Sequence, residues 1–180
     1  SHLNWFTNCM GQHSEMKIHM LIDLNKPINL NEFDGIYIGG GNTFKLLYKM
    51  KKSGFDKKLI DFFNSGGIIY GGSAGAILFG KDINIGLICK DRDSNKIGLK
   101  NTQGINLVHS YDIQCHFENY QVEEHREYSK KTNRNIIAIP EESAAIIFND
   151  KVKAIGIKPL MLIKKDKIFH IQIGEEFSLK

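Results

Sequence analysis

Short apolar runs alternate with stretches of helical periodicity in the first half of the chain. Three apolar runs predict β-strands: Lys17–Leu24, Gly35–Ile38 and Gly67–Tyr70. Between the last two, apolar residues recur about once per helical turn over Asn42–Lys52, and again in a helix that Ser53 would cap and Gly66 would end. Buried strands that alternate with helices are typical of a parallel sheet covered on both faces, which predicts an α/β fold.

The second half predicts further strands around one charged helix. Residues 81–112 are polar and rich in glycine, and they predict only loops and short strands. The helix covers about Asn119–Thr132, with acidic residues early and basic residues late, and we expect His125 within it to face solvent. The remaining strands are expected at Ile113–Cys115, at Asn135–Ile139, and in hairpins over Ala144–Lys180 that turn at 149–150 and 165–166.

The composition narrows the class of protein. The chain has 180 residues, 42% of them apolar and 24% charged, which predicts one globular domain over residues 1–180. No apolar run approaches the roughly 20 residues that span a bilayer, and the net charge of +4 is spread without a long basic block. Neither a membrane nor nucleic acid is therefore expected as a partner. The three cysteines lack metal-binding spacing, which favours reduced thiols in a cytoplasmic protein without a metal or other cofactor.

The sharpest motif is Gly71-Gly72-Ser73-Ala74-Gly75, which lies between a predicted strand and a short apolar helix. It matches G-x-S-x-G, the nucleophile elbow, in which a tight turn lifts the central serine above the sheet. The helix N-terminus that follows would favour developing negative charge at this point. Taken alone, the motif fits equally well a phosphate-binding turn with Ser73 as a helix cap.

Two other strand ends carry residues that could complete a hydrolytic site. Gly39-Gly40-Gly41 precedes a helix, and its free N–H groups could form one side of an oxyanion hole. Of the seven histidines, His116 directly follows an apolar strand and is the preferred general base, with His109 as its main competitor. Glu141 and Glu142 follow the strand at Asn135–Ile139, where either carboxylate could reach the imidazole and hold its tautomer.

Together, four segments resemble the dipeptidase E and cyanophycinase family of serine peptidases, whose fold is related to that of class I glutamine amidotransferases. The segments are IYIGGGNTFKLL (36–47), YGGSAGAI (70–77), CHF (115–117) and IPEESAAI (139–146). The resemblance covers roughly residues 17–172 and implies that Ser73 is the nucleophile and His116 the base. It also implies that the N–H of Gly41 belongs to the oxyanion hole, where we expect the N–H of Ala74 to join it.

The resemblance leaves the acidic residue of the site open. Some family members use an aspartate downstream of the serine, at a position where this chain has Ile88. Others use the glutamate that corresponds to Glu141, which is the preferred choice here, with Glu142 second. The remaining alternatives are Asp91, Asp93 and Asp112.

The resemblance also implies a fold: a three-layer αβα sandwich with a mostly parallel sheet. Family members start with a strand–helix–strand unit that would precede the first residues of this chain. A sheet without that unit exposes apolar surface and an unpaired edge. Either the chain is truncated, or a neighbouring chain, as in a homo-oligomer, covers that edge.

The substrate implied by the resemblance is a short peptide, a dipeptide with N-terminal aspartate. Selecting aspartate requires a cation near the pocket, for which Arg126 is the candidate and Arg92 and Arg134 are alternatives. Arg126 could equally lie on a solvated face beside glutamates of its own helix. Gly40 and Asn42 are expected to contact the substrate. The alternative function is a catalytically silent relative that binds peptides or partners at its exposed sheet edge.

Overall fold

A parallel strand pair carries both glycine-rich turns. The structure is a computed structural model that describes residues 2–10, 15–88 and 93–180. In it, β1 (Gly35–Ile38) and β2 (Ile68–Gly71) pair in parallel, with Ile38 opposite Gly71. The helices of this half are α1 (His2–Met10), α2 (Thr43–Ser53), α3 (Phe55–Asn64) and α4 (Ala74–Ile77). Because the two strands run in the same direction and in register, their carboxyl ends lie side by side.

The second half forms two further sheets. The four-stranded sheet has the order β3 (Tyr111–Gln114), β4 (Asn135–Ala138), β7 (Leu160–Lys164) and β8 (Lys167–Ile171). The three-stranded sheet has the order β5 (Ser143–Phe148), β6 (Lys151–Gly156) and β9 (Glu176–Ser178). Helix α5 spans Val122–Thr132, and 3₁₀ turns cover Leu30–Glu32, Ile83–Ile88 and Asn119–Gln121.

The α/β class is confirmed, but the expectation of a mostly parallel sheet needs correction. Only β1–β2 and β3–β4 pair in parallel, and the other four pairings described are antiparallel. Two of these four have a local reason: two-residue turns at 149–150 and 165–166 join β5 to β6 and β7 to β8, and so tight a connection forces antiparallel pairing. The predicted hairpins are thus confirmed.

Two local predictions in the first half are wrong. Lys17–Leu24 forms no strand: Ile18, Met20 and Ile22 are exposed, Ile22 to 79%, and only Leu21 and Leu24 pack against the core. A strand requires a hydrogen-bonding partner, and none of the described strands pairs with this segment. Ser53 ends α2 instead of capping α3, because Gly54 takes the left-handed turn (φ 69°) between the two helices.

The core lies between the helices and the sheets. Phe44 and Leu47 of α2, Leu59 of α3 and Leu78 after α4 have no exposed surface. The spacing of these residues along α2 and α3 is the helical periodicity visible in the sequence. His125 of α5 is also fully buried, so the expectation that it faces solvent is wrong. Its ring packs edge-on against Phe117, with 5.3 Å between ring centroids.

The described helices are short. The longest, α2 and α5, have 11 residues each. None of the helices in the described parts of the chain is long and apolar enough to cross a membrane.

A close backbone contact seats α4 against β1. A Cβ atom added to Gly75 would lie 2.1 Å from the carbonyl oxygen of Ile38, so a larger residue cannot be accommodated without moving one of the two backbones. The same carbonyl accepts a hydrogen bond from the N–H of Gly72 at 3.0 Å. These contacts fix where the turn between β2 and α4 lies relative to the end of β1.

A buried polar cluster connects β3 to the loop after α4. Asp112 has no exposed surface, and its carboxylate accepts hydrogen bonds from the N–H of Asp82 and the hydroxyl of Tyr128, both at 2.9 Å. Arg134 lies 3.1 Å from the Asp82 carboxylate and 3.6 Å from that of Asp112. Burial raises the pKa of Asp112 to about 6, although the Tyr128 hydrogen bond and the Arg134 charge both lower it.

Replacing Gly75 tests the close contact. We expect Gly75→Ala to lower the free energy of unfolding by about 2–3 kcal/mol, since the methyl group would overlap backbone atoms. Gly35→Ala is the matched control, because its added Cβ would lie 3.6 Å from the nearest atom, an ordinary contact. Urea unfolding of both variants measures the difference. Equal stability of the two variants would contradict the packing described.

The raised pKa of Asp112 predicts a pH-dependent stability. The folded state holds a proton on this carboxyl up to about pH 6, whereas the unfolded state releases it near pH 4. Stability contributed by this group is therefore greatest below pH 4 and is lost as the pH rises to 6. Relative to Asp112→Asn, the wild-type free energy of unfolding should fall by on the order of 2 kcal/mol between pH 4 and pH 7. Parallel urea titrations at these two pH values test this, and a constant difference would refute it.

Candidate active site

Ser73 occupies a strained turn between β2 and α4. Its backbone angles are φ 52° and ψ −119°, which a residue other than glycine rarely adopts. The turn is closed by hydrogen bonds from the N–H groups of Ala76 and Ile77 to the Ser73 carbonyl, at 2.9 and 3.1 Å. This is the strand–turn–helix arrangement that the G-x-S-x-G spacing predicts.

His116 stands opposite Ser73 at the end of β3. Its Nε2 atom lies 2.9 Å from the Ser73 hydroxyl oxygen, within hydrogen-bonding distance. His116 has a positive φ of 55°, and the next residue, Phe117, donates its N–H to the carbonyl of Ile139 at 3.1 Å. The preceding residue, Cys115, directs its thiol at the Ser73 carbonyl, 3.6 Å away. The residues on both sides of His116 are therefore held in place by contacts of their own.

Glu141 contacts the other ring nitrogen of His116. Its carboxylate pairs with Nδ1, so Nδ1 carries the proton and Nε2 is left to accept the proton of the Ser73 hydroxyl. The parallel pairing of β3 with β4 explains the approach, because Gln114 lies opposite Ala138 and both strands end beside each other. The Glu141 side chain is 64% exposed, so the carboxylate that contacts His116 is also accessible to solvent.

The glycine-rich loop after β1 lies against the serine. A Cβ atom added to Gly40 would lie 3.2 Å from the Cβ of Ser73, which leaves little room for a side chain. Gly41 has a φ of +134°, a conformation that L-residues rarely adopt. Both glycines line the same cavity as Ser73. The 39–41 loop and the turn at Ser73 therefore lie together, as expected if both belong to one site.

A cavity of about 700 Å³ opens beside these residues. Ser73, His116 and Glu141 contribute its polar wall. Much of the remaining lining is apolar or aromatic and includes Tyr37, Phe63, Tyr70, Phe79, Ile113 and Ile147. None of the residues that line it, in the described parts of the chain, is a lysine or an arginine.

Two predicted substrate contacts lie elsewhere. The guanidinium of Arg126 donates to Glu123 at 2.8 Å and lies 3.6 Å from Asp166, and Arg126 does not line the cavity. Asn42 acts as the N-cap of α2, because its side-chain oxygen accepts the N–H of Lys45 at 3.0 Å. The structure therefore does not bring these two side chains to Ser73. The alternative cation Arg134 belongs to the buried cluster around Asp112.

The other candidate acids also have partners of their own. Glu142 lies 3.7 Å from the ammonium of Lys158, and Asp112 is held by Tyr128. Asp93 binds Asn42 and Thr43 at the start of α2. Asp91 and the alternative cation Arg92 lie outside the described residues.

Two residues near His116, Cys115 and His125, were not predicted from the sequence to lie there. Cys115 under the serine carbonyl and the buried His125 behind Phe117 gave no signal beyond their position in a strand and a helix. His125 donates from Nδ1 to the carbonyl of Gln121 at 2.8 Å, and burial lowers its pKa. Within the described residues, no group of three or more His, Cys, Asp or Glu side chains could hold a metal ion.

Comparison with known proteins points to one family. The profile of peptidase family S51 matches residues 12–155. The uncharacterized peptidase Lmo0363 of Listeria monocytogenes is 33% identical over 90 residues, which are half of this chain. The uncharacterized peptidase Lin0382 of Listeria innocua is 40% identical over 81 residues, or 44% of this chain. Peptidase E of Escherichia coli is 28% identical over 132 residues, or 72% of this chain. The matches span 43%, 37% and 53% of those proteins, so this chain covers about half the length of its curated relatives.

Solved structures agree with this result. A crystal structure from Listeria monocytogenes EGD-e that is named for peptidase E aligns with a TM-score of 0.53 and 25% identity, over 81% of this chain and 62% of the other. A peptidase from an acI-B1 actinobacterium has the same fold, with a TM-score of 0.61 and 18% identity over 81% of this chain and 59% of the other. With four-fifths of its length matched by the family profile, the chain belongs to peptidase family S51.

Proposed function

We propose that this chain is a serine peptidase in which Ser73, His116 and Glu141 form the catalytic triad. The observation that carries the proposal is the continuous chain of contacts from the Glu141 carboxylate through both ring nitrogens of His116 to the Ser73 hydroxyl. Each member sits just beyond a strand end, on a short turn. Membership of family S51 supports the same chemistry.

The proposed reaction begins when Ser73 attacks a peptide carbonyl. His116 takes the hydroxyl proton at Nε2, and Glu141 stabilises the imidazolium that results. The N–H groups of Gly41 and Ala74 bind the negative oxygen of the tetrahedral intermediate. His116 then gives its proton to the leaving amine, and water releases the acyl group from Ser73 by the same steps. No cofactor takes part in this scheme.

The proposed substrates are short peptides, in particular dipeptides that begin with aspartate. The support is the resemblance to the dipeptidase E family and the similarity to peptidase E of Escherichia coli. Arg126 would have to leave Glu123 and Asp166 to meet the aspartate, so another cation or backbone N–H groups are the better candidates. A cytoplasmic setting is part of this proposal and is supported by the cysteine pattern, since three cysteines without regular spacing are not typical of a disulfide framework.

A second candidate function is binding without catalysis. The exposed apolar side chains along residues 16–22 and the outward face of β2, where Ile68 is 71% exposed, favour this alternative. Such a protein would capture peptides or a second copy of itself and would turn over no substrate.

Substitutions in the triad separate the two candidates. We expect Ser73→Ala to lower kcat by about 10⁴-fold or more, and Glu141→Gln by about 10³- to 10⁴-fold, in a peptide hydrolysis assay. Ser178→Ala and Glu142→Gln are the matched controls, because Ser178 is an exposed residue of β9 and Glu142 faces Lys158. Both controls should hydrolyse at wild-type rates.

Two results would contradict the triad. Equal turnover by wild type and Ser73→Ala would eliminate the nucleophile and favour binding without catalysis. A large loss in Glu142→Gln with none in Glu141→Gln would exchange the acidic residue. Circular dichroism of every variant establishes that the fold is retained.

The substrate proposal is tested with matched dipeptides. Asp-Leu should be hydrolysed with a kcat/KM at least about 10²-fold above that of Asn-Leu, which has the same shape without the charge. Arg126→Gln should keep this preference, because Arg126 already binds Glu123. Equal kcat/KM values for the two dipeptides would refute the aspartate preference and leave the triad untouched.

A further inference from the structure

Asp93 binds the two residues that directly follow Gly41. One carboxylate oxygen accepts the backbone N–H of Thr43 at 2.8 Å and also the Thr43 hydroxyl. The other accepts the side-chain amide of Asn42 at 3.1 Å. Three donors from consecutive residues therefore converge on one carboxylate.

Asp93 is itself anchored at its backbone. Its N–H donates to the carbonyl of Gly86, in the 3₁₀ turn Ile83–Ile88, at 3.0 Å. The amide of Asn42 also donates to the carbonyl of Ser94 at 3.0 Å. Thr43 is fully buried and Asp93 is half-buried, so water competes only weakly for these charge-assisted hydrogen bonds. The carboxylate thus joins two segments that are 50 residues apart.

The segment it holds contains the proposed oxyanion donor. Gly41 lacks a side chain, and a Cβ atom added to it would have no other atom within 4 Å, so no side-chain packing at this position helps to hold the loop. β1 fixes the chain on one side of the loop, and Asp93 fixes it on the other. Stabilising an oxyanion requires a donor held in place before the reaction, since a displacement of about 1 Å can cost on the order of 10²-fold in rate.

We propose that Asp93 is a positioning residue that holds Gly41 in place for oxyanion binding, an inference that rests on the proposed function. Asp93 is not the acid of the triad, because its partners are Asn42 and Thr43 whereas His116 pairs with Glu141. Its negative charge also lies at the N-terminus of α2, where it favours the start of that helix. The position of the loop thus depends on a side chain that does not touch the serine.

The kinetic test compares variants on both sides of the contact. Asp93→Asn and Thr43→Val should each lower kcat by about 10- to 100-fold and change KM by less than about twofold. Thr43→Ser keeps the hydroxyl donor and should restore most of the rate. Asp23→Asn is the control, because Asp23 is an exposed carboxylate that bonds only within its own turn. The pH profile of kcat/KM should keep its wild-type shape, since His116 retains Glu141.

Amide hydrogen exchange gives a readout that does not depend on turnover. In both Asp93→Asn and Thr43→Val, the backbone N–H of residue 43, which donates to Asp93 in the wild type, should exchange about 10-fold faster or more, with the core amides of α3 unchanged. Thr43→Val keeps the test decisive where Asp93→Asn does not fold.

The outcomes separate the two proposals. Unchanged exchange at residue 43, or faster exchange with an unchanged kcat, would overturn the positioning role of Asp93. A shifted acidic limb of the pH profile in Asp93→Asn would overturn it as well, since the residue would then act on His116. Faster exchange in a protein that shows no Ser73-dependent hydrolysis would support the Asp93 contact and refute the peptidase proposal.

Discussion

The position of the site depends on one carbonyl group at the end of β1. The oxygen of Ile38 accepts the N–H of Gly72 and at the same time lies where a side chain at Gly75 would be. These two contacts therefore fix the position of the Ser73 turn relative to the β1–β2 sheet. The positive φ of Ser73 follows from this constraint, since the chain must reverse into α4 within two residues. The backbone strain is maintained by packing that cannot relax locally.

Strand register completes the arrangement. In each of the two parallel pairs the last residues of the strands are register partners: Ile38 lies opposite Gly71, and Gln114 lies opposite Ala138. The groups proposed to react follow these ends within two or three residues, so short turns carry them. The antiparallel strands contribute no reacting group to the proposal, although β7 pairs with the edge of β4 that faces away from β3. The proposed catalytic groups therefore follow the two parallel pairings, in which the carboxyl ends of the strands lie side by side.

The sequence was most informative where local structure alone determines a side chain's position. Ser73, His116 and Glu141 each follow a short apolar run, and strand ends in an α/β fold converge without further information. Predictions failed where the answer depends on a distant partner. The apolar alternation over Lys17–Leu24 gives a strand only if another strand binds it, and His125 is buried in packing that includes Phe117, a residue outside α5. Arg126 pairs with glutamate on its own helix, and no local pattern distinguishes that from a role at the cavity.

Glu141 sits on the connection between β4 and β5, which belong to different sheets. Residues 139–142 connect the two sheets, so the Glu141 carboxylate lies on the connecting segment itself. A small rotation of the three-stranded sheet would move Glu141 away from the imidazole while Ser73 and His116 kept their own supports. In the proposed triad, Glu141 is therefore the residue whose contact with His116 depends most directly on how the two sheets are aligned.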